Sequence, residues 1–410
     1  MATIRPFRAI RPQRDKVHLV ATRPYYSYKE NVLKAKLEDN PFTFLHIINP
    51  EFNHHQKTKP NSTERFQLVK SRYEHFMATG ILYKDEIPSL YLYRQTTEKN
   101  VFIGVIGGAS VEEYELGLIK KHEATLTTRE EMFTLYLEEV GYNAEPVLLS
   151  YEGTDELNSL LATCQLTRPE YEFTTTDQIK HELWVLNQEQ TQQIQEAFEQ
   201  IPCTYIADGH HRCASSARLT KNRIDKGQEI LSSSHFLAYF VEEKSLSILA
   251  FHRLVRTLAG NSKESFIQSL PALGNLEKLK EARKPIKEHE ICLYVGGEWF
   301  SLQLLDDIIN KEHPLKTLDS NMLTEFILGP ILHVSDLKTS DQVEFIPGNQ
   351  DLSVLTNAID EGEFAVGFVL YPLTIQQVKK VADEKMNMPP KTTYVEPKLR
   401  SGLTNYDINE

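Results

Sequence analysis

Between Thr204 and Gly227 the hydrophobic period of the chain changes within a few residues, and that change dictates a strand turning sharply into a helix. Thr204-Tyr205-Ile206-Ala207 is apolar and β-rich, as a buried strand is. Asp208-Gly209 is a turn pair. Ala214, Ser215, Ser216, Ala217, Arg218 and Leu219 are helix material that lasts to Gly227. The polar residues are packed into the turn: Asp208, Gly209, His210, His211 and Arg212. The first backbone N–H groups of a helix lack partners within it and favour an anion. Gly209, His210, His211 and Arg212 are therefore candidate phosphate-binding residues. Arg212 suits a forked contact, and either histidine could move a proton near neutral pH. Asp208, at the strand end, could act as base, metal ligand or helix cap. The ordinary alternative is a plain turn with Asp208 as a cap. Two histidines and an arginine on one turn weigh against it, because crowded positive groups cost stability unless an anion binds.

The rest of the chain sets bounds on that site. Its 410 residues allow a large core and more than one domain or layer. A formal net charge of −12 speaks against general affinity for nucleic acid. Cys164, Cys203, Cys213 and Cys292 lie far apart with no Cys-x-x-Cys, which argues against a zinc knot or disulfide frame and suits a reducing cytoplasm. Met1 to Arg14 is basic without the apolar run of a signal peptide, and no run reaches membrane-spanning length. Gly104-Val105-Ile106-Gly107-Gly108 is neither a P-loop nor a dinucleotide fingerprint.

Upstream, Ser27 and Glu30 have capping-box spacing before a helix through Val32, Leu33 and Leu37. Phe42 to Ile48 reads as a strand bearing His46, and Phe66 to Phe76 as a helix closed by Gly80. Strands follow at Leu90–Tyr93 and at Val101–Ile106, the latter closed by Gly107-Gly108. Ser110 and Glu113 form a second capping box, after which Tyr114, Leu118 and His122 fall at i, i+4 and i+8 on one stripe of a predicted helix. His122 and Glu123, with Thr125 beyond them, either project from that helix end into a pocket or are a packed histidine in a solvated charge cluster with Lys120 and Lys121; the sequence leaves both open.

Arg129–Val140 is a predicted helix, Val147–Tyr151 a strand, Glu152 to about Asp177 irregular, His181–Leu186 a strand and Glu189–Gln200 a helix. Phe236–Val241 and Leu246–Phe251 are strands, the second ending in His252-Arg253. That pair is a candidate second phosphate clamp or an ordinary surface pair. Gly260 to Pro285 is polar and helix-prone. Glu290–Val295, Gly296-Gly297 and Trp299–Leu304 make a hairpin. Leu318–Leu328 is a helix carrying Asp319, Ala365–Tyr371 a continuous apolar and central strand, and Ile375–Ala382 a helix. The tail from Met386 to Leu403 holds three prolines with Lys391, Lys398 and Arg400, and reads as an extended strap that lies across the body and offers its lysines to an anion, with a basic surface strap as the alternative. Strands alternate with helices, but a hairpin and extended segments intervene. The expected fold is a mixed α/β (α+β) protein, a mixed sheet with surrounding helices and more than one subdomain. Residues 1–410 are expected to form a single domain, which could subdivide into a core at 1–255, a smaller hairpin-containing part at 256–364, and 365–410 returning to the core.

These segments together resemble the family known as domain of unknown function 1015. The resemblance runs nearly end to end, through Pro6-Phe7-Arg8, Pro24-Tyr25, Asn40-Pro41 with Phe44-Leu45-His46, Tyr114-Glu115, Ile119-Lys120, His122-Glu123-x-Thr125, Tyr205 to Arg212, His252-Arg253 and the Met-Pro-Pro-Lys to Ser-Gly-Leu tail. Tyr26 stands where the family usually carries Asp after Pro-Tyr. The Asp-Gly-His-His-Arg stretch also resembles the phosphate-handling motif of the ParB and sulfiredoxin superfamily, whose free L-serine kinases are the nearest in chemistry. That resemblance implies a ParB/sulfiredoxin-like phosphate-binding core in which Asp208 to Arg212 hold the transferred phosphoryl group and a carboxylate takes the hydroxyl proton.

The expected function is a small-molecule phosphotransferase, a free serine kinase forming O-phosphoserine, with ATP, ADP or pyrophosphate as donor and Mg2+ as the expected metal. Glu123 is the expected base, with Asp208 as the alternative base, His210 and His211 as further catalytic residues, and Asp208 or Glu123 as a metal ligand. His122, Thr125 and Tyr25 are expected to bind substrate. His252, Arg253, Lys391 and Lys398 would join the Asp208 turn on the phosphate, since Arg212 with two partly protonated histidines is too little charge for a pyrophosphate-like group. A phosphohydrolase with water as acceptor is the first alternative. A ParB-like nucleotide-binding regulatory protein is the second, although neither a DNA-binding helix-turn-helix nor a basic surface is evident. Partners are expected to be small molecules, with no nucleic acid and no membrane; the oligomeric state is open.

Overall fold

A computed structural model describes residues 1–228, 230–334, 336–337 and 340–410. They divide into two compact units: Met1–Leu246 with Pro397–Glu410, and Ser247–Glu396. The cuts fall after Leu246 and after Glu396. Both units are mixed α/β, each built on its own sheet.

In the first unit the described residues form an eight-stranded mixed sheet. Its order is Ile119–Lys120, Thr204–Asp208, Val147–Tyr151, His235–Glu242, Val101–Ser110, Tyr91–Thr96, Lys180–Val185 and Tyr171–Thr174. Two pairings are parallel, Thr204–Asp208 with Ile119–Lys120 and His235–Glu242 with Val147–Tyr151; the others are antiparallel. The strand at Val101 does not close at Gly107-Gly108 but runs on to Ser110. Those glycines are where the N-terminal arm crosses it. A Cβ at Gly107 would lie 2.5 Å from Ile4, and Arg5 exchanges backbone hydrogen bonds with Gly108. Val105, Ala109, Leu149, Ile206, Ala238 and Phe240 then form one buried apolar cluster with Ile194, Ala197 and Phe198 of the helix Gln188–Phe198.

Several local readings need correction. Phe42–Ile48 is not a strand: Leu45–Ile48 is a short helix, in which Leu45 and Ile47 are buried, Phe44 and Ile47 share one apolar cluster with Val20, Val69 and Tyr73, and the Phe44 N–H donates to the Val20 carbonyl. The span 152–177 holds a helix, Asp155–Cys164, capped by the Thr154 hydroxyl, and the edge strand Tyr171–Thr174. The helix opened by Ser110 stops at Glu115, since the chain turns at Gly117, in left-handed backbone, and Ile119–Lys120 joins the sheet. The stripe of Tyr114, Leu118 and His122 therefore does not exist.

Among the described residues the sheet of the second unit is antiparallel, in the order Gly274–Leu279, Glu298–Leu304, Glu290–Val295, Val366–Leu370, Ser247–Val255 and Val343–Pro347, with Thr393–Glu396 pairing the start of Ser247–Val255. Gly296 and Gly297, both with positive φ, make the expected hairpin turn. The apolar run at Val366–Leu370 is interior: Val366, Phe368 and Leu370 join one core cluster and Val369 the other. It is antiparallel on both sides, so burial of both faces, not parallel pairing, explains its composition. The polar span after Gly260 forms the helix Lys263–Ser269 and the edge strand Gly274–Leu279. Asp319–Leu323 is α-helical and Thr324–Leu328 continues as a π-turn.

Candidate functional site

The strand Thr204–Asp208 and the helix His210–Asp225 meet at Gly209, as their sequence dictates. Gly209 has φ +108, a value that side chains avoid, and a Cβ there would sit 3.1 Å from the Arg212 guanidinium. The register along Val147–Tyr151 pairs Ile206 with Leu149 but Asp208 with Leu148, so Ala207 is a bulge that re-aims Asp208 just before the turn. On the other edge, Tyr205 pairs in parallel with Lys120. The residues after Lys120 therefore run alongside those after Tyr205, and this brings His122 and Glu123 to the start of the helix.

The geometry at the meeting point is specific. The His122 backbone N–H donates to His210 Nε2 at 3.4 Å, and the two imidazole rings meet edge to face with centroids 4.5 Å apart. His210 Nδ1 lies 3.6 Å from Glu123 Oε2. His122 and His210 are buried, whereas the Glu123 side chain is 42% exposed. His122 Nδ1 and His211 Nδ1 are buried and have no hydrogen-bond partner among the described residues. Buried nitrogens of that kind are uncommon and carry unused hydrogen-bonding capacity.

Charge is arranged differently from the expectation. Burial pushes His122 down to about 4 and His211 below its ordinary value, and it holds His210 far below, with the charges of Lys121 and Arg212 acting in the same direction. All three are biased toward the neutral imidazole, which runs against the expectation of partly protonated histidines. Arg212 is also not presented as a free fork. Its Nη2 donates to Asp208 Oδ2 at 2.9 Å, and its Nη1 donates to the carbonyl of Glu145 at 3.2 Å and to that of Pro146, 3.4 Å from Glu145 Oε1. Burial works against its charge, but Glu145 and Asp208 more than restore it. The other Asp208 oxygen faces Lys398 Nζ at 3.3 Å. Asp208 thus sits between two cations and ties the C-terminal tail to the turn.

That arrangement does not suit Asp208 as a resident magnesium ligand, since both its oxygens already face positive groups. Among the described residues no three His, Cys, Asp or Glu side chains gather to hold a metal ion. Cys213, behind the turn, is fully buried, and that burial raises its thiol to about 12. The four cysteines are free, and no helix among the described residues is long and apolar enough to cross a membrane.

Of the other expected site residues, Thr125 donates its hydroxyl to the Glu130 carboxylate. Tyr25 is half exposed and packs edge to face on Tyr26, with centroids 5.9 Å apart. Tyr26, the departure from the family pattern, acts on the charge of Arg212, so position 26 belongs to this neighbourhood. His252, Arg253 and Lys391 lie in the second unit. The first two are not at a strand end, because their strand runs on to Val255. Both are buried, and neighbours in a strand face opposite ways, so they do not form a clamp. Arg253 donates to the carbonyls of Phe251 and Lys391, the latter at 3.1 Å, and lies 4.8 Å over the Phe345 ring. His252 Nδ1 accepts from the Leu370 N–H at 3.4 Å. Lys391 is exposed, in left-handed backbone, with its ammonium 5.1 Å over the Phe251 ring.

Sequence reasoning missed Glu145, which stands just before the strand Val147–Tyr151 and balances Arg212. It also missed Arg129, whose charge acts on His211. The one available signal for Glu145 was its place at the mouth of a strand neighbouring Thr204–Asp208.

A family model described as "Protein of unknown function (DUF1015)" matches residues 4–321. No curated protein matches the chain. Among solved structures it is similar to C-terminally truncated SbnI from Staphylococcus aureus, at 14% identity and TM-score 0.38, covering 73% of this chain and 85% of that one. It is similar to a free serine kinase in complex with AMP, at 13% identity and TM-score 0.32, covering 73% and 91%. A conserved hypothetical protein from Pyrococcus furiosus is similar at 15% identity and TM-score 0.33, covering 73% and 94%.

Proposed function

The chain belongs to the DUF1015 family, and we propose that it is a small-molecule phosphotransferase with its site at the Asp208–Arg212 turn. The observation that carries this reading is Glu123, a partly exposed carboxylate held 3.6 Å from His210 at the start of a long helix. A helix start favours phosphoryl oxygens, and a carboxylate beside it serves as base for a hydroxyl. In the proposed step Glu123 takes the proton of the acceptor hydroxyl, a new O–P bond forms, and the P–O bond to the donor breaks, leaving the charge on the departing phosphate or nucleotide. Arg212 and Lys398 hold the turn and supply positive field next to it. Magnesium would arrive with the donor's phosphates instead of waiting in a protein cage. Free serine as acceptor, with O-phosphoserine as product, is the finer part of the proposal and rests on the likeness of the Asp-Gly-His-His-Arg motif.

Because Glu123 is reachable by solvent, a hydrolase that activates water is the second reading. The test is incubation of the pure protein with serine, magnesium and, in turn, ATP, ADP or pyrophosphate, followed by phosphorus NMR. A serine phosphomonoester signal that needs serine supports the transferase. Inorganic phosphate released equally with and without serine would overturn it in favour of the hydrolase. No change with any donor would overturn both.

A further inference from the structure

We propose that His210 is a neutral positioning residue: the His122 peptide N–H holds its ring as the Nδ1–H tautomer, and that hydrogen is presented to Glu123 and aims the carboxylate. The inference deepens the reading of Glu123 as a base and rests on it. It also replaces the expectation that His210 moves a proton.

The tautomer follows from hydrogen-bond geometry. An imidazole nitrogen that accepts a hydrogen bond carries no hydrogen itself. His210 Nε2 accepts from the His122 N–H, so in the neutral ring the hydrogen is on Nδ1. Nδ1 faces Glu123 Oε2 at 3.6 Å. That is slightly too long for a hydrogen bond, and catalytic contacts of this kind commonly tighten when ligands arrive. The ring is not free to flip, since His210 is only 6% exposed and the His122 ring stands edge to face against it.

Protonating Nε2 as well would point one N–H at another. It would also place a cation in a buried position near Lys121 and Arg212, and both the burial and those two charges oppose it. His210 therefore stays neutral through the cycle. Its Nδ1–H stabilises the ionised form of Glu123 and fixes which oxygen turns toward the hydroxyl. The arrangement is economical in sequence: His122 supplies the backbone donor and Glu123, the next residue, the acceptor, with the His210 ring bridging the two.

The test does not depend on activity. In protein labelled with 15N-histidine, long-range proton–nitrogen NMR should show His210 with Nδ1 protonated and Nε2 bare from about pH 6 to about pH 9. An Nε2–H ring, or an imidazolium in that range, would overturn the proposal. The second measurement is the Glu123 carboxyl titration, by 13C NMR, in His210→Asn and His210→Gln. Asparagine keeps an N–H near the Nδ1 position, whereas glutamine keeps polar atoms only near Nε2. The Glu123 pKa should hold in the first variant and rise by about one unit in the second. Equal titration in the two variants would reject the positioning role, and a merely structural role for the ring would not separate them. If the protein proves to transfer no phosphate, the functional reading fails, while both NMR results still decide the tautomer and its coupling to Glu123.

Discussion

The same dipeptide occurs twice in this chain with opposite consequences, as His211-Arg212 in the first unit and His252-Arg253 in the second. The first pair opens a helix, where consecutive side chains fan out by about a third of a turn and still share the region of the helix start. Arg212 turns back onto two carboxylates, Asp208 and Glu145, and His211 keeps an unpartnered nitrogen next to Arg129 and Glu130. The second pair lies inside a strand, which sends the two side chains to opposite faces. Arg253 is fully buried against carbonyls and an aromatic ring. A cation at a helix start answers to charge and remains coupled to a reachable acid. A cation inside a sheet is a fastener for backbone. Sequence motif alone does not separate these cases; the secondary structure beneath it does.

That contrast can be broken by experiment. The largest effect is expected from Arg253→Ala, which removes a fully buried side chain and its bonds to the Phe251 and Lys391 carbonyls. It should cost about 3 kcal/mol of stability in urea unfolding, and Arg253→Met should recover part of this. A loss under about 1 kcal/mol would mean that Arg253 is no fastener. Glu123→Gln should leave donor binding intact by calorimetry while slowing transfer about 100-fold; unchanged turnover would remove Glu123 from the chemistry.

Arg212→Ala should cost about 1–2 kcal/mol at neutral pH, discounted for partial exposure of the group. Its signature is the pH dependence. Burial raises the Glu145 pKa and Arg212 pulls it back. Without Arg212 the Glu145 pKa rises further, so the deficit grows as pH rises through the Glu145 titration and fades below it. The Arg253→Ala deficit should show no such carboxylate-linked change, and parallel pH curves for the two variants would mean that both arginines answer to charge alike. The smallest effect is expected for Lys398→Ala, about 0.5 kcal/mol, because the pair with Asp208 is partly exposed. A thermal unfolding shift well beyond that would make the tail contact a structural keystone.

What was legible in the sequence were the features set by neighbours along the chain. Thr204 to Gly227 displays its strand, turn and helix because the hydrophobic period switches at a turn pair, and the hairpin at Gly296-Gly297 is legible for the same reason. What was not legible depends on partners far away in sequence. Ile119–Lys120 is a strand only because Thr204-Tyr205 lies beside it, so the position of Glu123 could be guessed but its support on a strand could not. The charge state of the histidines was misread because burial, which no local pattern encodes, decides it. Arg212 was read as a ligand because its nearest counter-ion in space besides Asp208 is Glu145, distant in sequence and unremarkable in context.

The first unit is interrupted: its last segment, Pro397–Glu410, follows the whole of Ser247–Glu396. That segment supplies Lys398 to Asp208, Arg400 to Asp177, and backbone pairing from Ser401 to Thr22 and from Asn405 to Ile10. On the ribosome, the residues of the proposed chemical centre therefore emerge long before the cation that braces Asp208. Until then Arg212 is the only one of its two cations to have been made, and Asn405 and Ser401 are not yet present to pair with Ile10 and Thr22. The intervening unit, by contrast, is one uninterrupted stretch whose sheet can form from contacts made as it is synthesised. The bracing of the proposed chemical centre is in this sense a late event, set only after the whole of Ser247–Glu396 has been made.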